Sequence, residues 1–379
     1  MKATAVWLWV LVGLPAIRAA GAGAPLEPSP LEASPPPAPK VFRAAVAKVL
    51  VSVVTIETYG GVLMPERPPA PRPSPARGPR RPPGRRRITA IGNPGEGPTT
   101  GLIVSPDGYI VTSTYNFLRA PPIITVVLPD GSRHVAKLCG RDETRRLCLL
   151  KIEGVEGLPV PDVVPRDELR VGQWAISVGV GYGGDEPALS VGILSALERA
   201  SGKAVQTDAN LSPANYGGPL VDLGGRVIGV CVPLSPRAQG PAAGVEWYDS
   251  GIGFAIPLAG ADPLIERMKK GETIRAGRLG IRPALQAPPG SVPVEQVLPD
   301  SPAAKAGIKP KDAILALNGE PVSDVFRLRV ILGRYAAGDE VTVRLKRGQE
   351  DLAVKVVLDA GEDQVPQPMP FEIERQRPE

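Results

Sequence analysis

The sequence of 379 residues predicts a mostly β protein that folds as a barrel or a sandwich. Short apolar and β-branched runs recur about every ten residues from Gly101 onward, and most of them are too short for helices. Turn signals such as Pro106-Asp107-Gly108 and Pro129-Asp130-Gly131 separate these runs. The chain contains 43 glycines and 46 prolines, a content that disfavours a helical bundle. Its length suggests two or three domains.

Residues 1–22 have the pattern of a secretory signal peptide. Lys2 supplies the positive start, Val6 to Ile17 form an apolar segment, and Ala20-Gly21-Ala22 fits a cleavage site. An uncleaved anchor is the alternative, but an apolar segment of this length is short for a membrane span. We therefore predict that the protein is exported to the periplasm or the cell envelope.

Two further segments have compositions that do not favour a packed core. The Pro-rich residues 23–39 are predicted to form a tether, and residues 59–98 a mobile loop rich in Gly, Pro and Arg. Residues 65–87 hold eight arginines and one glutamate, so the basic character of the chain is concentrated there. This loop is a candidate contact for an acidic envelope surface. No aromatic residue is interleaved with the arginines, and no nucleic-acid partner is expected.

The chain offers few residues for metal or nucleophilic chemistry. It has one histidine, His134, in a predicted strand where we interpret it as structural. A site with two histidine ligands is excluded, and no C-x-x-C motif supports a zinc or redox site. The sequence therefore predicts neither a metal nor another cofactor. Cys139, Cys148 and Cys231 lie in apolar runs, which favours buried free thiols.

Several segments, in order along the chain, carry a family resemblance. In the first part they are residues 101–112 (GLIVSPDGYIVT), 142–152 (ending LCLLKI), 206–220 (QTDANLSPANYGGPL) and 251–257 (GIGFAIP). These segments resemble the HtrA/Deg group of trypsin-like serine proteases. In the last part, residues 279–281, 301–312 and 313–321 resemble a bacterial PDZ domain.

The resemblance implies a chymotrypsin-like double β-barrel followed by a PDZ domain. The protease-fold domain is expected over residues 40–262, a linker over 263–276 and the PDZ domain over 277–360. The Pro- and charge-rich residues 361–379 are expected to be a disordered tail. Family members form trimers, so the resemblance also implies a homotrimer or a mixed assembly with active relatives.

The resemblance places substituted residues at the positions of the family's catalytic triad. The family histidine falls on Tyr115, or on Asn116 if a one-residue insertion lies earlier, and the aspartate falls on Arg146. The nucleophilic serine falls on Tyr216, and the glycine two residues before it on Ala214. Tyrosine and asparagine are not bases near neutral pH, and arginine is a permanent cation. The sequence therefore predicts no catalytic residues and a pseudoprotease rather than an enzyme.

The predicted function is that of an inactive HtrA-like scaffold, chaperone-like protein or regulatory factor. The alternative is a serine-type endopeptidase of the same family, active in protein quality control through unrecognised or residual activity. One such activity would use Tyr216 as a nucleophile beside Arg146, because a nearby guanidinium can lower the pKa of a phenol.

The PDZ-like unit is predicted to bind the C-termini of peptides or proteins. Arg278, Leu279, Gly280 and Ile281 match the carboxylate-binding loop and the first strand of bacterial PDZ domains. In such domains backbone N–H groups bind the terminal carboxylate while the peptide adds to the sheet as a strand.

A predicted helix beginning near Ser323, which is a good N-cap residue, would form the other wall of the groove. Phe326 and Val330 are four residues apart and are predicted to face the groove. The core-facing positions at i, i+3 and i+7 are Val325, Leu328 and Leu332.

Overall fold

The computed structural model describes residues 38–60, 98–181, 186–235, 244, 250–284 and 290–360. The predicted signal peptide and the C-terminal tail lie outside the described residues, as do nearly all of the tether and the Arg-rich loop. Within the described ranges, no helix has the length and apolar character that crossing a membrane requires. In the same ranges, no three His, Cys, Asp or Glu side chains form a group suited to a metal ion.

The described chain begins with helix α1 (Ala38–Leu50) and continues into a first β barrel. The helix packs through Ala45, Val46 and Val49, which share one face at helical spacing. The barrel strands are β1 (Val53–Tyr59), β2 (Thr99–Ile103), β3 (Tyr109–Ser113), β4 (Ile123–Val127), β5 (Arg133–Asp142) and β6 (Leu147–Ile152). They pair in the order β5-β4-β1-β2-β3-β6, and pairing between β5 and β6 closes the barrel.

A second closed barrel follows in the chain. Its strands are β7 (Trp174–Gly179), β8 (Ala188–Arg199), β9 (Ala204–Thr207), β10 (Pro219–Val221), β11 (Val227–Cys231) and β12 (Gly253–Pro257). The order around the barrel is β10-β11-β12-β9-β8-β7, with β7 and β10 paired. Closure leaves no exposed strand edge. The interior is filled by residues such as Ala175, Leu194, Leu220 and Ile228, all fully buried.

Helix α2 (Asp262–Lys269) and strand β13 (Thr273–Ile274) follow the second barrel and pack against the first one, and the C-terminal unit is a smaller sheet with two helices. The elements of that unit are β14 (Ile281–Pro283), β15 (Val292–Val297), α3 (Pro302–Lys305), β16 (Ala313–Leu317), β17 (Glu320–Pro321), α4 (Val325–Leu332), β18 (Glu340–Arg347) and β19 (Glu350–Val357). Strand β13 pairs with β5 of the first barrel. The other six strands form a sheet in the order β14-β15-β16-β18-β19, with β17 paired to β16 beside this path. The predicted fold class, a double β-barrel followed by a PDZ domain, is confirmed.

Helix α4 begins one residue later than the sequence predicts. Its N-cap is Asp324, whose Oδ1 accepts the N–H of Arg327 at 2.8 Å. Ser323 instead donates its hydroxyl to the Asp324 carboxylate at 2.8 Å. Both residues are good caps, but the carboxylate also interacts favourably with the positive end of the helix.

A buried ion pair stabilises the PDZ unit. The Asp312 side chain is 1% exposed and accepts two hydrogen bonds from Arg347, each 2.8 Å long. The N–H of Lys309 donates a third, also at 2.8 Å. The hydrogen bonds from Arg347, opposed by desolvation, hold the pKa of Asp312 below its usual value.

We expect Asp312→Asn to make the PDZ unit less stable at neutral pH and less sensitive to acid. A lowered folded-state pKa means that the ionised carboxylate stabilises the fold above its unfolded-state pKa, about 3.9. That stabilisation is lost as the pH falls through the folded-state pKa. The substitution should cost about 2 kcal/mol at neutral pH and reduce the loss of unfolding free energy on acidification.

Urea unfolding of both proteins at pH 7 and pH 3 measures the effect, with exposed Asp351→Asn as the control. An unchanged acid sensitivity in Asp312→Asn would contradict the prediction.

Candidate functional site

Tyr115 and Tyr216 come together between the two barrels. Tyr115 lies in a 3₁₀ segment, Thr114–Phe117, that follows β3, and Tyr216 lies in the turn before β10. Ser113 caps the 3₁₀ segment by accepting the N–H of Tyr115 at 3.2 Å. The two rings meet edge to face, with centroids 5.3 Å apart and planes at 78°. They are 4% and 3% exposed, so this aromatic pair fills the space between the barrels.

Asn116, the other candidate for the histidine position, connects the barrels through its amide. Its Nδ2 donates to the carbonyl of Tyr216 at 3.1 Å and to Thr112 Oγ1 at 2.9 Å. Thr112 donates in turn to the carbonyl of Thr100 at 2.7 Å. Asn116 Oδ1 is buried and has no hydrogen-bond partner among the described residues. Leaving such an acceptor unsatisfied costs about 1–3 kcal/mol.

Arg146, at the predicted aspartate position, is adjacent to the same 3₁₀ segment through its backbone. It precedes β6 with a φ of 59°, and its carbonyl accepts the N–H of Thr114 at 2.9 Å. Burial lowers the pKa of its guanidinium, and Glu143 opposes this shift. An arginine nevertheless stays charged at neutral pH. The structure therefore brings all three predicted triad positions into one region.

The turn before Tyr216 uses its N–H groups internally. The N–H of Ala214 donates to Ser212 Oγ at 3.2 Å, and the N–H of Asn215 donates to the carbonyl of Ser212 at 2.9 Å. Ala214 does not have a positive φ, in contrast to Gly217 at 90°. In serine proteases, N–H groups of this turn stabilise the oxyanion of the intermediate. Here the N–H of Ala214 is directed to the Ser212 hydroxyl instead.

The space beside Tyr216 is small. A cavity of about 10 Å³ lies there, which is room for about one water molecule. It is lined by Leu211, Tyr216, Val232, Pro233, Leu234, Gly244, Ile252, Gly253 and Phe254. A second cavity of about 320 Å³ shares Leu234, Ile252 and Phe254 with it.

His134 lies away from this region, in β5 on the first barrel. It pairs with Val126 of β4, and its Nε2 lies 3.1 Å from the Oγ of Ser132, the residue that precedes β5. The three cysteines are free thiols. Burial raises the pKa of Cys148 and of Cys231 to about 12, so neither is a thiolate nucleophile at neutral pH.

The predicted carboxylate loop of the PDZ unit has two available backbone donors. Arg278 donates its N–H to the carbonyl of Asp359 at 2.9 Å, whereas the N–H groups of Leu279 and Gly280 donate to no backbone carbonyl in the described part of the chain. The Leu279 side chain is buried in the core, and Ile281 is half-buried and pairs with Val297. The loop therefore combines a fixed backbone with two N–H groups that have no backbone acceptor among the described residues.

The two residues predicted for the groove wall on α4 have different environments. Phe326 is 73% exposed, whereas Val330 is 3% exposed. The carbonyl of Val330 lies beside Gly202, in the hairpin between β8 and β9, where a Cβ atom would overlap it. Leu328 belongs to the core, as predicted from its spacing. Of the two candidates, Phe326 is thus the side chain open to a ligand.

The comparisons with known proteins identify the class of each unit. A model of the trypsin-like peptidase domain matches residues 99–230, and a model of the PDZ domain matches residues 277–358. The chain therefore combines a trypsin-like domain with a PDZ domain. Taken with the relatives described next, this combination shows that the chain belongs to the HtrA-type proteins.

Two curated relatives illustrate the similarity. The chain is 34% identical over 277 residues to the periplasmic serine endoprotease DegP of Escherichia coli strain K12, covering 68% of this chain and 56% of the relative. It is 32% identical over 277 residues to a probable periplasmic serine endoprotease, DegP-like, of Marinomonas sp. strain MWYL1 (69% and 56%). The chain thus spans little more than half the length of these relatives. Their periplasmic location supports the predicted export.

Solved structures agree with this assignment. The HtrA-type protease AlgW with a decapeptide is 25% identical, with a TM-score of 0.58, and the match covers 85% of this chain and 99% of that one. The serine endoprotease from Yersinia pestis is 26% identical, with a TM-score of 0.54 and coverages of 85% and 98%.

These comparisons contradict the prediction that the chain is not an enzyme. The curated relatives and the Yersinia pestis protein are named serine endoproteases, which points to an enzyme. The prediction rested on the residues at the expected triad positions (Tyr115 or Asn116, Arg146 and Tyr216), on Ala214 and on the single histidine of the chain. Sequence similarity to named endoproteases over most of the chain is stronger evidence for the class of protein than the identity of a few side chains.

Proposed function

We propose that this chain is a periplasmic endopeptidase of the HtrA type that selects polypeptides by their C-terminal residues. The observation that carries the proposal is a PDZ loop with available N–H groups on the same chain as a trypsin-like double barrel. The names of the relatives support the endopeptidase part, and the peptide bound to AlgW supports the recognition part.

Recognition would use the loop Arg278 to Ile281. A terminal carboxylate accepts hydrogen bonds from the N–H groups of Leu279 and Gly280, and charge-assisted bonds of this kind are the stronger ones. The peptide continues along β14 as an added strand. Exposed Phe326 on α4 and half-buried Ile281 offer apolar contacts for its last side chains.

Cleavage would place specific demands on the cleft. A hydroxyl nucleophile needs a base that accepts its proton and space for the substrate carbonyl. The hydroxyl at the nucleophile's position is that of Tyr216, whose ring is buried against Tyr115. A substrate could reach it only if residues that bury Tyr216 move. Tyr216 is therefore the first residue to test.

A trimeric or mixed assembly and an envelope contact of the Arg-rich loop stay predictions.

We expect the full chain to bind apolar C-terminal peptides with micromolar affinity and to bind their C-terminal amides at least about tenfold more weakly. Amidation removes the charge that the loop N–H groups stabilise, and tenfold corresponds to about 1.4 kcal/mol. Fluorescence anisotropy with labelled peptides measures both affinities. Equal affinity for acid and amide would refute recognition through the carboxylate.

The endopeptidase part is tested with a fluorogenic unfolded protein and with Tyr216→Phe, which removes only the hydroxyl. Turnover by the native chain supports the proposal, and its loss in Tyr216→Phe assigns the nucleophile. No turnover by a chain that binds peptides normally would refute the endopeptidase part and leave the recognition part intact.

A further inference from the structure

A cavity of about 260 Å³ lies where the trypsin-like domain meets the PDZ domain. Its walls include strand β12, helix α2, the hairpin between β8 and β9, and the segment after α4. Five cationic side chains and two carboxylates line it, namely Arg145, Arg166, Lys203, Arg267, Arg334, Asp142 and Asp339. The lining residues alone therefore carry a net positive charge, although Glu272 pairs with Arg267, and Glu198 and Glu320 pair with Arg334, from outside the lining.

Both carboxylates are already neutralised by arginines. Asp142 binds Arg145 Nη1 at 2.8 Å and also accepts the N–H groups of Thr144 and Arg145. Asp339 binds Arg267 Nη1 at 3.0 Å and accepts the N–H of Ala336 at 2.7 Å. Neither carboxylate forms an ion pair with Arg166, Lys203 or Arg334.

Two of the remaining cations have no carboxylate partner in the described part of the chain. Lys203 is half-buried, and its ammonium has neither a hydrogen bond nor an ion pair there. Arg166 is exposed at the edge of the cavity and donates only to the carbonyl of Gly202, at 3.1 Å.

A third cation, Arg334, has one unused donor. Its terminal nitrogens bind Glu198 and Glu320, but its Nε is buried and unpaired among the described residues. Burial lowers the pKa of Lys203, nearby Arg145 adds to this shift, and Asp142 opposes it. A half-buried cation without an ion-pair partner is disfavoured, so an anion bound here would remove an existing penalty.

We propose that this cavity binds a small oxyanion of the phosphate class between the two domains. Three cationic groups with unused donors suit a dianion with at least three acceptor oxygens better than a single carboxylate with two. Phosphate oxygens would accept from the Lys203 ammonium and from Arg334 Nε, with Arg166 at the entrance. The volume leaves room for a small organic substituent on the phosphate.

Binding of inorganic phosphate to the full chain tests the proposal. Isothermal titration calorimetry should show saturable binding of phosphate, and chloride at matched ionic strength should show none. Lys203→Gln should weaken binding at least about tenfold, and Lys305→Gln, at an exposed PDZ lysine, should not. Circular dichroism checks that both variants fold, which we expect because Lys203→Gln removes a half-buried charge that has no ion-pair partner among the described residues.

Two further ligands distinguish the sources of the anion. Tighter binding of glycerol phosphate than of phosphate identifies a phosphomonoester as the ligand, whereas equal or weaker binding identifies free phosphate. Malonate should bind more weakly than both. The proposal is overturned if phosphate does not saturate the protein, if Lys203→Gln binds it unchanged, or if malonate binds more tightly.

Discussion

Gly280→Ala should weaken binding of a C-terminal peptide at least about a hundredfold, equivalent to about 2.7 kcal/mol. Gly280 has a φ of 79°, which an L side chain rarely adopts. A Cβ atom there would overlap the side chain of Ser301. Ser301 cannot move freely, because its Oγ caps α3 by accepting the N–H of Ala304 at 3.2 Å. The loop must shift instead, and its N–H groups lose their direction.

Gly307→Ala is the matched control for this effect. Gly307 lies in the same domain and has the same φ of 79°, but a Cβ atom there meets nothing within 4 Å. It should lower stability by about 1 kcal/mol through backbone strain and leave peptide affinity unchanged. Fluorescence anisotropy measures affinity, and thermal unfolding confirms that both variants fold. If the two variants bind peptide equally well, the conformation of the Gly280 loop does not determine recognition.

The strands were predictable because each carries its own local signal. LCLLKI, for example, forms β6 with buried residues on both faces of the barrel wall, and its β-sheet character is evident without any partner. The start of α4 was less predictable, since Ser323 and Asp324 are adjacent residues that both favour the N-cap position. Only the contact of Asp324 with the N–H of Arg327 decides between them.

The candidate site was only partly predictable, because here too two adjacent residues fitted one position. The sequence placed the histidine position on Tyr115 or Asn116, because an insertion can be moved by one residue without changing the pattern. In the structure the ring of Tyr115 meets Tyr216, and the amide of Asn116 binds the Tyr216 carbonyl. Both residues therefore contact the turn that holds Tyr216, and the sequence pattern alone does not predict these contacts.

The cavity between the domains had no sequence signal. The guanidinium of Arg145 donates to the carbonyl of Arg334 at 2.7 Å, although 189 positions separate them. Whether a lysine such as Lys203 keeps a partner depends on where distant carboxylates lie in the fold. Composition and spacing contain no information on this, so the unpaired charge becomes visible only in three dimensions.

Gly217→Ala is expected to lower the unfolding free energy of the trypsin-like domain by about 3 kcal/mol or more, by combining overpacking with backbone strain. Gly217 has a φ of 90°, and a Cβ atom there would overlap the carbonyl of Thr100 and the hydroxyl of Thr112. The Thr112 hydroxyl donates to the Thr100 carbonyl and accepts a hydrogen bond from Asn116 Nδ2. The same amide nitrogen donates to the carbonyl of Tyr216, next to the second barrel. The added methyl group would therefore disrupt the polar connection between the barrels.

Gly172→Ala separates this disruption from strain alone. Gly172 directly precedes the second barrel with a φ of 89°, and a Cβ atom there meets nothing within 4 Å. Gly172→Ala should lower the unfolding free energy by only about 1–2 kcal/mol, the cost of holding alanine in a left-handed backbone conformation. Urea unfolding followed by circular dichroism compares the two variants under one condition. Equal losses would show that the Thr100–Thr112–Asn116 connection contributes nothing to the stability of the domain. A larger loss in Gly217→Ala would show that close packing at this turn, immediately after Tyr216, holds the barrels together.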